Sequence, residues 1–160
     1  MDQPAPDNDW QSSFVARIAA SFGRATGGDL IAAAGLDPAE PHFRNIGRSA
    51  WDGNFALLTH DRNAILTYGN RFTLDLWEMD WQTLVRTPSR LTAPEEDRAA
   101  RAVIMAQVER DGFTSAYSGR RVSRTGRLFL IENATVWTMC DEKGAGFGTG
   151  AFFKSIVRLD

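Results

Sequence analysis

The stretch from Arg127 to Cys140, RLFLIENATVWTMC, constrains the fold more than any other part of the chain. It is rich in β-branched and aromatic residues, which favour extended strands. Side chains alternate between the two faces of a strand, and both alternating sets are mostly apolar here. A strand of this kind lies in a sheet that is covered on both faces. We expect one face to pack on helices and a pocket, while the other needs a separate cover.

Turn signals divide the rest of the chain into further strands. RTG at 124–126 and DEKG at 141–144 are typical of hairpin turns. HDRN at 60–63 separates two short apolar runs and indicates an earlier hairpin. The sequence therefore predicts five strands, at 55–59, 64–68, 113–123, 127–140 and 147–157.

Helices are expected between the second and third strands. Asn70 is a good N-cap for RFTLDLWEM, and WQTLVRT follows as a second short helix. Thr92 and Glu95 have the spacing of a capping box, which predicts a helix from there to Asp111, ended by Gly112.

The N-terminal third is expected to form an arm. Residues 1–9 are acidic and contain prolines, so we predict a disordered tail there. Residues 10–48 are assigned to a helical arm with a linker, and 49–160 to the main domain. Four large apolar residues at intervals of four form a helical stripe: Trp10, Phe14, Ile18 and Phe22. This stripe covers the sheet of its own subunit, as core, or that of a partner, as a dimer interface.

Composition excludes several classes of function. The net charge of −2 and the pI near 5.7 argue against nucleic-acid binding through a broad basic surface. Cys140 is the only cysteine, so an internal disulfide is impossible and a reducing, cytoplasmic location is expected. No apolar segment approaches the ~20 residues of a membrane span, and no membrane role is expected.

The order of segments resembles that of a PAS domain. ILTYGNRF, LTAPEEDR and YSGRRVSRTGRLFLIENATVWTMCDEKG fall where that pattern has its helix entries and last hairpins. More narrowly, FALLTHD, PSRLTA, RDGF, FGTGAFF and SFGRATGGDLI are similar to segments of the MEKHLA family, in its stand-alone bacterial form. The resemblance implies an α+β fold with a five-stranded antiparallel sheet. It also implies helices on one face of that sheet, forming a wall of a ligand pocket.

Six residues are candidates for ligand binding. Trp77, Tyr117 and Trp137 combine an apolar body with a polar group, and they line either a pocket or the core. Glu132 and Asn133 are polar in the middle of the long strand, and one of them is expected to face the pocket.

The sixth candidate is Arg90, in the loop PSRLT. Its guanidinium either binds a carboxylate or phosphate at the pocket rim or pairs with Glu95 or Glu96 in solvent. The arginines of the later hairpin, at 120, 121, 124 and 127, are interpreted as a solvated tip in preference to a phosphate-binding patch.

No cofactor is assigned from the sequence. The cysteine that forms the adduct in flavin photosensors lies in the helical region, whereas Cys140 lies at the end of a strand. A flavin adduct is therefore not expected. His42 and His60 lie outside the helical wall from which haem-binding PAS domains take a ligand, and they form no metal-ligand set.

These features predict a small sensory or regulatory module rather than an enzyme, since no catalytic residues are recognised. The module is expected to bind a small ligand or a protein partner and to signal through association, as a homodimer or with another protein. Two alternatives stay open: a dimerisation module without a ligand, and a small α+β enzyme, isomerase or hydrolase, that uses Glu132.

Overall fold

The computed structural model describes residues 1–159. Its α-helices are α1 (Ser12–Thr26), α2 (Leu30–Ala33), α3 (Ile46–Trp51), α4 (Arg71–Trp77), α5 (Trp81–Leu84) and α6 (Arg98–Asp111). Its strands are β1 (Ala56–His60), β2 (Leu66–Gly69), β3 (Phe113–Val122), β4 (Leu128–Cys140), β5 (Gly146–Phe153) and β6 (Ser155–Arg158). Short 3-10 helices span Pro6–Gln11, Ser89–Thr92 and Glu95–Asp97.

One antiparallel sheet contains all six strands, in the order β2-β1-β5-β4-β3, with β6 also paired to β4. The last predicted strand is therefore two strands, interrupted at Lys154. Both pair with β4 in one continuous register, since Phe152 lies opposite Thr135 and Ser155 lies opposite Glu132. The predicted α+β class and antiparallel sheet are confirmed.

The interruption belongs to a line of irregular residues across the sheet. Asn133 in β4 has a φ of 54° and Ala116 in β3 has a φ of 57°, values that are uncommon outside glycine. The register of β3 against β4 shifts around Tyr117. Such a bulge changes which face later side chains occupy. Ile131 and Ala134 are accordingly both buried although they lie three positions apart.

Buried polar groups fix the start of the helical layer. Asn70 caps α4, accepting from Thr73 N at 3.2 Å, and its amide donates to Phe55 O at 2.8 Å and to Ala50 O at 3.0 Å. Because both the oxygen and the nitrogen of this amide have hydrogen-bond partners, its burial costs little free energy. It ties the first hairpin to the helices on both sides of it.

The predicted capping box at Thr92 does not form. The Thr92 hydroxyl donates to Ser89 O at 2.7 Å, which closes the 3-10 turn Ser89–Thr92. Helix α6 begins at Arg98, after a second 3-10 turn, because Pro94 keeps an extended ψ of 147°. As part of the 3-10 turn instead of a helix cap, the Thr92 side chain points inward and is buried.

The arm packs on the sheet of its own chain. Val15 and Ile18 of α1 are fully buried, and the Phe22 ring meets the Trp137 indole edge-on at 5.0 Å. Trp137 Nε1 donates to Ser21 Oγ at 3.0 Å. Trp10 and Phe14 are half-buried. Helix α1 thus covers the sheet face opposite α6.

Residues near the N-terminus also contact the domain. The Trp81 indole N–H donates to Met1 O at 3.1 Å, and Pro4 is buried. Helix α3 runs through the predicted boundary at residue 48. Among residues 1–159, no helix has both the length and the hydropathy needed to cross a membrane.

Candidate ligand-binding site

A cavity lies between the sheet and helix α6. Its volume is about 40 Å³, counted as the space that the centre of a water molecule can occupy. This is room for a few waters or one small molecule. Most of its wall is apolar, contributed by Leu58, Leu66, Trp77, Met105, Ile131, Val136, Ala151 and Phe153. Its polar lining consists of Thr59, His60, Ser89, Thr92, Arg101, Arg121 and Thr149. We call this space the sheet–helix cavity.

Trp77 forms a fixed part of the apolar wall. Its ring meets Phe129 edge-on at 5.1 Å, and its Nε1 donates to Thr92 O at 3.3 Å. The indole N–H is thereby satisfied within the protein, so Trp77 offers a ligand surface without a free donor.

Arg101 enters the cavity from α6. It shares a helix stripe with Met105 and Val108, at intervals of four and three residues, which is the spacing of a buried face. Its Nη2 donates to Ser89 Oγ at 3.2 Å. Burial, and then the charge of Arg121, lowers the pKa of Arg101 to about 10.

Arg121 enters from β3 and is more deeply buried, at 6% exposure. Its Nη1 donates to Arg120 O at 2.7 Å and its Nη2 to Tyr117 Oη at 3.2 Å. Within residues 1–159, neither Arg121 nor Arg101 forms an ion pair with a carboxylate. The nearby carboxylate of Asp97 accepts two bonds from Arg120, at 2.8 and 2.9 Å.

His60 lines the cavity at the end of β1. Burial lowers the pKa of its imidazole from the ordinary value, the largest of several influences. Its Nδ1 lies 2.9 Å from Asp61 O. Because a carbonyl only accepts, Nδ1 carries the proton, which leaves Nε2 as an acceptor in the neutral ring.

The structure brings few of the predicted site residues together. Trp77 lines the cavity, and Tyr117 lies beside it through its bond with Arg121. Arg90 is exposed, although its neighbour Ser89 lines the cavity.

The remaining three predicted residues lie elsewhere. Glu132 accepts from Ser155 Oγ at 3.1 Å, and Asn133 is exposed. Trp137 faces the arm instead of the cavity because the bulge at Asn133 shifts the alternation of β4. Its indole lies across Gly150, where an added Cβ would come within 2.5 Å of the ring.

Arg101, Arg121 and His60 were not among the residues that the sequence singled out for ligand binding. A solvated hairpin tip suits Arg124 and Arg127, which are exposed, but not Arg121, whose side chain is buried. One signal was available for Arg101, a cation on the apolar stripe of its helix. No three His, Cys, Asp or Glu side chains among residues 1–159 group as a metal-ligand set.

The family model described as "MEKHLA domain" matches residues 12–157. The chain belongs to the MEKHLA domain family. The match covers the arm helix as well as the sheet, so α1 is part of the family's module.

Several solved structures similar to this MEKHLA domain are described as PAS domains. One, from Colwellia psychrerythraea, has a TM-score of 0.61 at 13% identity, covering 70% of this chain and 92% of that one. Another, from a two-component sensor histidine kinase, has a TM-score of 0.54 at 16% identity, covering 68% and 88%.

A third is the PAS domain of a LuxR-family transcriptional regulator from Burkholderia thailandensis, solved in complex with ethanol. Its TM-score is 0.52 at 13% identity, and it covers 66% of this chain and 92% of that one. At such identities the likeness shows the fold alone, and it confirms the predicted PAS-like fold. No curated protein matches the chain.

Proposed function

We propose that this MEKHLA domain is a sensory module that binds a small molecule in the sheet–helix cavity. The observation that carries the proposal is a cavity with two guanidinium groups that have no carboxylate partner among residues 1–159. Buried charge is costly unless it is paired. A ligand that pairs with these two charges would therefore stabilise the folded protein.

The layout supports a link between occupancy and output. The cavity is lined by β1, β3, β4, β5 and α6, so a molecule inside contacts most of the sheet and the helix that covers it. Ligand contacts that differ between two arrangements of α6 would shift the balance between them. The module then signals through self-association or through binding to another protein, in the reducing cytoplasm that a single cysteine suits.

The ethanol complex of the Burkholderia thailandensis PAS domain supports the same kind of use, since it shows a small molecule bound to a domain of this fold. It does not identify the ligand of this chain, because fold likeness does not transfer a binding site.

Native mass spectrometry of the purified protein tests the proposal, together with a thermal-shift panel of small neutral, anionic and cationic compounds. We expect either a retained small molecule or a class of compound that raises the melting temperature. Sedimentation with and without that compound reports the change in association. A protein that carries nothing and responds to no class of compound would refute ligand sensing.

A further inference from the structure

We infer that the ligand is a small organic carboxylate, held by Arg101 and Arg121 with its apolar part against Trp77 and Met105. This inference rests on the proposed function and specifies its chemistry.

The first step is the local charge. Arg101 and Arg121 line one cavity, and the repulsion between them contributes to the lowered pKa of Arg101. His60, the third titratable group in the lining, is kept neutral near pH 7 by burial and offsets none of this positive charge. The charge of Asp97 also acts on Arg121, but this carboxylate lies outside the lining and is bonded to Arg120. An anion in the cavity relieves the repulsion, whereas a cation adds to it.

The second step is the supply of donors. A guanidinium has five N–H donors. Within residues 1–159, Arg101 uses a donor on Ser89 Oγ, and Arg121 uses donors on Arg120 O and Tyr117 Oη. These bonds fix both side chains and leave several N–H groups free, which is the arrangement that recognises the two oxygens of a carboxylate.

The third step is the remainder of the wall, which distinguishes a carboxylate from an inorganic anion. Away from the arginines, the lining is apolar, formed by groups such as Leu58, Trp77, Met105 and Ile131. Phosphate or sulfate would place oxygens against these side chains without hydrogen bonds, at a cost in free energy. A short alkyl chain buries there favourably. With only about 40 Å³ open, an acid the size of acetate or propionate is expected.

A set of isosteric probes tests this chemistry without any mutation. Propionate, propionamide and propanol have similar shape and differ in charge. We expect calorimetry to show propionate binding at least about tenfold more tightly than propionamide or propanol, because charged hydrogen bonds are stronger. Phosphate is expected to bind more weakly than propionate.

A variant assigns the effect to the arginines. Arg101→Met is expected to weaken propionate binding about 10- to 100-fold, with propanol binding unchanged. Arg90→Gln removes the same charge from the exposed neighbour of Ser89 and is expected to leave propionate affinity unchanged. Arg101→Lys keeps the charge without the planar fork and is expected to bind propionate with intermediate affinity. Thermal melting of each variant checks that it is folded.

The outcomes separate the inference from the function on which it rests. If propanol or propionamide binds as tightly as propionate, or if folded Arg101→Met binds propionate like the original protein, the carboxylate assignment is overturned while ligand sensing stands. If no probe binds and no compound of any class stabilises the protein, both are overturned.

Discussion

The two faces of the sheet are built from the same strands but have opposite character. On the arm face, Trp137 packs under Phe22, and its one polar atom is satisfied by Ser21. On the cavity face, Arg101 and Arg121 line the cavity without a carboxylate partner among residues 1–159. The packing on the arm face stabilises the fold, whereas the unpaired charges on the cavity face do not. The comparison indicates that the cavity face is kept for binding, since sites of function often reduce stability.

Truncation on the arm face should have the largest effect. Trp137→Ala removes a fully buried indole with both its ring contact and its hydrogen bond. We expect the free energy of unfolding, measured by urea denaturation, to fall by about 3–5 kcal/mol. Val103→Ala, at a side chain that is 68% exposed, should change it by less than about 0.5 kcal/mol. A small loss at Trp137 would mean that α1 does not close this face in solution.

The matching indole on the cavity face should respond differently. Trp77→Leu removes ring atoms beside a space that already exists, so we expect a smaller loss of about 1–3 kcal/mol. The enlarged cavity should also favour a longer carboxylate, so that butyrate gains affinity relative to propionate in calorimetry. An unchanged order of affinities would place the alkyl chain away from Trp77.

Acid should act through the cavity face. Because burial lowers the pKa of His60 below 6.5, the unfolded chain binds this proton more readily than the folded one. Stability is therefore lost as the pH falls through 6.5 towards the folded pKa, by at most about 1.4 kcal/mol per pH unit for one group. His60→Gln should remove that part of the slope, measured by urea denaturation between about pH 7.5 and 5.5. A slope equal to that of the original protein would assign the effect to other groups.

Removal of a cavity charge should cost little stability. Arg101→Met deletes a desolvated cation that Arg121 repels, and methionine keeps most of the apolar stem. We expect the free energy of unfolding to stay unchanged or to rise by up to about 1 kcal/mol. A loss of several kcal/mol would show that the arginine is structural, and the contrast between the two faces would fail.

The smallest effect is expected at Arg90, an exposed side chain on the 3-10 turn beside the cavity. Arg90→Gln should change the free energy of unfolding by less than about 0.5 kcal/mol. A clear loss of ligand retention in this variant would extend the site to the rim.

Much of the fold could be predicted because local signals and tertiary structure agree. The apolar runs, the turn at Gly126, the cap at Asn70 and the two-sided apolar pattern of β4 all specify a meander under helices. The start of α6 was mispredicted because the hydroxyl of Thr92 closes a local 3-10 turn instead. A Thr and a Glu at capping-box spacing do not show which backbone group the hydroxyl will meet.

The site was harder to predict because it depends on which side chains face each other across the sheet. Alternation counted along an unbroken β4 places Trp137 on the same face as Ile131, whereas the bulge separates them. Arg101 and Arg121 lie 20 positions apart in the sequence. Their meeting depends on how α6 crosses β3, which no local pattern specifies.

The bulge at Asn133 gives strand β4 something like a reading frame. Before Asn133, Phe129 and Ile131 lie on the sheet face that carries the helices and the cavity. After Asn133, Val136 lies on that same face and Trp137 faces the arm. Deletion of this one exposed residue would put the second half of the strand out of phase and turn Trp137 towards the cavity. Relatives should therefore have the same number of residues between the positions of Ile131 and Trp137, although the identities of those residues differ.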